Sequence, residues 1–144
     1  MIEELESFYK YFPNSPAFEN WGFYVVSAGY SKIPKFHQYP PVLHPDHHHF
    51  TWENRRILDT WTFVYIHRGQ GIFDSEPSGT KAVHEGSLFI AFPDTWHRYR
   101  PDENTGWDEY WIEFNGDCVR HFIDKSHLNT SEPVLTIADA SKIM

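Results

Sequence analysis

The sequence predicts a mainly β domain of short strands joined by tight turns, and three observations carry that reading. Trp61 to His67 alternates with period two, Thr62, Val64 and Ile66 on one face against Trp61, Phe63, Tyr65 and His67 on the other. Turn-forming groups recur at short intervals at Gly69-Gln70-Gly71, Asp74 to Thr80, Gly86 and Pro93-Asp94. Between them stand the strand-like runs Ile72-Phe73, Ala82-Val83, Ser87 to Phe92 and Thr95 to Tyr99.

Taken in order, Leu5, Phe8, Tyr9 and Phe12 recur at helical spacing until Pro13, which predicts a short helix or an ordered arm. Phe23 to Val26 reads as a strand ended by Gly29-Tyr30. Pro34, Pro40, Pro41 and Pro45 then make the stretch to His49 a loop, because proline cannot donate to a ladder. Gly69-Gln70-Gly71 reads as a β-turn. Period two places Trp107, Glu109, Trp111 and Glu113 on one face of a strand. Beyond Gly116 the pattern is helical to about Lys125, with Val119, Phe122 and Ile123 on one side; Pro133 opens a new segment, and Thr136 to Met144 reads as the start of a further helix.

A chain of 144 residues, 40% hydrophobic, is one domain with enough apolar mass for a core. Twelve Phe, eight Tyr and six Trp exceed what such a core needs, which leaves some to line a cavity or an interface. The formal charge of −8, with only 12 scattered Lys and Arg, argues against a phosphate-binding surface. Cys118 is the sole cysteine, so no intrachain disulfide forms. No apolar run approaches the roughly 18 residues of a membrane span. The acidic start Met1-Ile2-Glu3-Glu4 lacks the regions of a signal peptide. The expected location is the cytoplasm.

Several chemistries are excluded by residue type. His44, His47, His48 and His49, with Asp46, attract attention as metal ligands. Adjacent side chains of an extended segment alternate sides, however, and a zinc-like site needs three or four ligands converging at about 2.0–2.1 Å. Cys118 has no base tied to it and reads as packing, not as a nucleophile. Gly69-Gln70-Gly71 has no third glycine, no following lysine and no helix after it, so it is no phosphate loop. No catalytic residue, metal or cofactor is predicted.

Three motifs in order carry a family resemblance: Tyr65-Ile66-His67-Arg68-Gly69-Gln70-Gly71; the spacing Gly86, Pro93, His97, Tyr99; and Trp107 to Gly116. Together they resemble the cupin barrel of the sensor domains of AraC-type transcription regulators, from about Phe50 to Gly116. The resemblance implies a cupin-type antiparallel β-barrel with short flanking helices, divided into an N-terminal arm (1–20), the barrel (21–116) and a C-terminal helical segment (117–144). In that family the arm closes over bound ligand, and the C-terminal region leads through dimerisation helices to a DNA-binding domain. That domain is missing from this sequence, so the chain reads as the sensor part of a longer regulator, or as a truncated product of one.

The resemblance also implies a site. Family ligand contacts fall on an Arg before the first strand, on the His and Tyr after the Pro turn, and on alternate residues of the closing strand. Here these are Arg55 or Arg56, His97, Tyr99, Trp107, Glu109 and Trp111. Metal-binding cupins instead place their first three ligands where this chain has Arg56, Leu58 and Thr62; none replaces them well, and His97 alone remains. The expected function is therefore effector sensing, with a saccharide as ligand, an apolar-walled pocket, a homodimer in the full-length protein, and DNA contact only through the missing domain. A metal-dependent cupin enzyme and a stand-alone sugar-binding cupin are the alternatives.

Overall fold

The computed structural model describes residues 6–41 and 51–137. Among the described residues, eight strands and two short helices follow in the order β1 (Ser7–Tyr11), α1 (Pro16–Asn20), β2 (Tyr24–Ile33), β3 (Trp61–Ser75), β4 (Gly79–His84), β5 (Ser87–Ala91), β6 (His97–Pro101), β7 (Trp107–Asn115), α2 (Asp117–Lys125) and β8 (Val134–Thr136). Every strand pairing is antiparallel.

The 15-residue β3 organises the rest because it serves two sheets in succession. Its first part, Trp61 to Gly69, pairs with β7 and β5; its second, Gln70 to Ser75, pairs with β4 and β6. The change comes at Gly69-Gln70-Gly71, which is a bend within one continuous strand and not the expected β-turn. Gly69 supplies a positive φ of 89°, next to a register shift between Ile66 and Arg68. Gly71 supplies space: a Cβ there would fall 2.6 Å from the Trp107 ring.

Inward side chains from six strands meet between the two sheets: Ile33, Val64, Ile66, Phe73, Val83, Phe89, Tyr99 and Trp107, all buried. This is the interior of a mainly β, cupin-type fold. On the outer face of the same strands a second cluster, Trp61, Ile90, Phe92 and Phe114, is covered by Val119 and Ile123 of α2. That explains why odd residues near Trp61 are buried although the even ones face the interior. Residues 117–125 form the helix that the sequence predicts.

Three further expectations change. Of the short helix or ordered arm expected for the first segment, the helix is not found: Ser7–Tyr11 is the strand β1, paired with β2 from Ser7↔Ser31 to Tyr11↔Ser27, and backbone pairing overrides the helical spacing of its aromatics. β2 does not stop at Gly29-Tyr30 but runs to Ile33. Gly29 is a close approach: it pairs with Trp111, and a Cβ on it would fall 2.6 Å from that indole. The C-terminal segment is not wholly helical, since Val134–Thr136 adds a strand to β5. The helix expected to Met144 lies outside the described residues past Ile137.

Candidate functional site

One end of the interior is polar. β6 and the segment before β3 are joined by a short bridge, Arg56 N–H to His97 O at 3.2 Å and His97 N–H to Arg56 O at 3.0 Å. It turns the Arg56 side chain inward, where Nε donates to His97 Nε2 at 3.1 Å and Nη2 donates to the Tyr99 hydroxyl at 2.7 Å. Because Nε2 accepts, the proton sits on His97 Nδ1, 3.3 Å from the Thr95 carbonyl. Burial and then the Arg56 charge hold His97 neutral, its pKa lowered to about 3 despite the Thr95 carbonyl.

Two carboxylates face this cation from β7. Glu113 accepts from Ser27 Oγ at 2.8 Å and Thr60 Oγ1 at 2.7 Å. Glu109 accepts from the Tyr39 hydroxyl at 3.1 Å, and burial raises its pKa to about 7, against the pull of Tyr39, Trp107 and Arg56. The Trp107 indole N–H lies near enough for that pull yet forms no hydrogen bond of ordinary geometry. Tyr11 of β1 senses the same charges: burial, then Glu113, pushes its hydroxyl up to about 12.

Arg56, Thr62, Tyr99, Glu109, Trp111 and Glu113 enclose, with Val64, a cavity of about 20 Å³. That is room for one water. Tyr99 also borders a more open space of about 250 Å³, lined by Pro34, Tyr39, Trp52 and Arg100 among others. Tyr99 and the Tyr39–Glu109 pair thus stand between the two spaces. Among the described residues no three His, Cys, Asp or Glu side chains come together as metal ligands would. The histidines at 44 and 47–49 lie outside the described residues.

Residues 37–141 match the model of the AraC-like ligand binding domain, well over half the chain. The chain belongs to that family. Among solved structures it is similar to the protein YhaK from Escherichia coli, at 6% identity and a TM-score of 0.55, over 92% of this chain and 51% of that one. The chain thus spans about half the length of YhaK, and the likeness concerns the fold alone. Protein NMB1881 from Neisseria meningitidis (15% identity, TM-score 0.40, 72% and 84% covered) and protein Ylba from E. coli (11%, 0.44, 79% and 38%) are more distant in shape. No curated protein matches the sequence.

For an AraC-like ligand binding domain, the placement of the expected contact residues is informative. Arg56, Tyr99, Glu109 and Trp111 come together around the cavity. Arg55 does not: it is exposed and stacks 4.0 Å from the Trp96 ring, and of the two arginines only Arg56 borders this cavity. His97 stands behind Arg56 and does not line the cavity. Trp107 is fully buried in the apolar cluster, edge-on to Tyr39. Nor is the wall apolar as expected, since Arg56, Thr62, Glu109 and Glu113 line it beside Val64, Tyr99 and Trp111. Ser27, Tyr39, Thr60, Thr62 and Glu113 were not singled out for the site. Thr62 and Glu113 were legible as members of the two inward faces, whereas Tyr39, in an irregular proline-rich segment, carried no signal.

The family implies a small-molecule effector. No helix among the described residues is long and apolar enough to cross a membrane.

Proposed function

We propose that this chain is the effector-sensing part of an AraC-type transcription regulator and takes a small polar metabolite, a saccharide or related polyol, into the polar end of the barrel without metal. The reading rests on one observation: a cation, two carboxylates and the hydroxyls of Thr62 and Tyr99 converge beside an indole in a buried cavity. Stacked C–H groups suit the indole, and ligand hydroxyls suit the directional groups. Such a ligand is larger than one water, so binding parts the lining, and the boundary where Tyr99 and the Tyr39–Glu109 pair separate the cavity from the neighbouring space is where we place that opening. The role is binding and not catalysis. In this reading the domain also self-associates, in a cytoplasmic regulator that contacts DNA only through a region outside this sequence.

Calorimetry against a panel of aldopentoses, aldohexoses and polyols, with and without chelator, tests the proposal. Binding of at least one member, unchanged by chelator, is the expected result. No binding refutes the effector reading, and binding lost with chelator favours a metal-dependent cupin. Sedimentation at increasing concentration addresses self-association separately; a strict monomer contradicts that part.

A further inference from the structure

Thr62 lies on β3 between Ala91 of β5 and Glu113 of β7. It is 4% exposed, its side chain lines the cavity with Arg56, Glu109 and Glu113, and its Oγ1 has no hydrogen-bond partner among the described residues. The neighbouring hydroxyls differ: those of Ser27 and Thr60 both donate to Glu113. A buried hydroxyl left unpaired is a cost to the fold, whereas valine has the same shape, suits a strand and carries no polar group. The next inward residues of β3, Val64 and Ile66, are of that apolar kind. Packing therefore gives no reason for threonine at 62, and a polar group entering the cavity does.

We infer that Thr62 is a specificity-determining residue whose hydroxyl reads one oxygen of the bound effector, selecting a polyhydroxylated molecule over its deoxy counterpart. The assignment rests on the proposed binding role of the cavity. A hydroxyl both donates and accepts, so its natural partner is another hydroxyl, and a site built around such a bond discriminates against ligands that lack it.

The test compares wild type, Thr62→Val and Thr62→Ser in two measurements. In calorimetry, wild type is expected to prefer one sugar of the panel over a particular monodeoxy analogue by about 10-fold or more; Thr62→Val should lose that preference and Thr62→Ser keep it. In thermal melts without ligand, Thr62→Val should match or exceed wild type. Equal sugar preference in wild type and Thr62→Val overturns the assignment while leaving the binding role intact. A lowered melting temperature for Thr62→Val, rescued by Thr62→Ser, also overturns it, because the hydroxyl would then serve the fold. If wild type binds no sugar of the panel, the binding role falls and this assignment with it.

Discussion

The two ends of the barrel interior are built from the same strands and behave in opposite ways. Along β3 the inward residues run Thr62, Val64, Ile66; opposite them on β7 stand Glu113, Trp111 and Glu109, with Trp107 beyond. At the apolar end Phe73, Phe89 and Trp107 are fully buried and pack ring against ring, 5.2 Å between the centroids of Phe73 and Phe89. At the polar end burial works against charge: it raises Glu109 and lowers His97. One end supplies stability, and the other is held in place by it. A barrel selected for stability alone would continue the apolar side chains to both ends.

The largest expected effect breaks the stabilising end. Phe89→Ala removes a fully buried ring in contact with Phe73, Tyr99 and Trp107 and should cost about 3–5 kcal/mol in denaturant unfolding. Next comes the pH dependence of the polar end. Glu109 has a folded pKa of about 7 against an ordinary 4.5, so the native state holds a proton that the unfolded chain has released. Its contribution to stability therefore falls as pH rises between these values, by on the order of 3 kcal/mol at about 1.4 kcal/mol per pKa unit. His97 acts in the other direction: with its pKa lowered to about 3, its contribution is present above about 6.5 and lost as pH falls toward 3. Glu109→Gln should thus gain on wild type between pH 5 and 8 and, alone, show stability that only rises from pH 3 to 6.5. Melts across that range check both signs.

Smaller effects sharpen the contrast. Trp111→Ala should weaken effector binding by about 1–3 kcal/mol, read by calorimetry, with folding largely retained because the ring is only partly buried. Arg55→Ala, whose side chain lies on the surface over Trp96, should change stability and binding by no more than about 0.5 kcal/mol.

Much of this was legible in the sequence, for identifiable reasons. Period two fixed which residues of β3 and β7 share a face, because burial on one side of a strand forces alternation. The motifs around Gly69, His97 and Trp107 carried the family. What misled were residues whose local signal has two causes. Gly29 was read as a stop but makes room for Trp111 across the ladder, and Gly69-Gly71 was read as a turn but bends one strand between two sheets. That Arg56 and not Arg55 borders the cavity depends on a bridge to His97, 41 residues away, and Tyr39 reaches Glu109 across 70. Such pairings belong to the tertiary structure and leave no periodicity behind.

The claim that the polar end of the barrel is the binding site is tested most directly by methyl NMR during titration with the tightest sugar of the panel. Shifts concentrated at the Thr62 and Val64 methyls, with Val83 and Ile33 little changed, are the result this account predicts. Shifts concentrated instead at Leu88 and Ile112 on the outer face would contradict it.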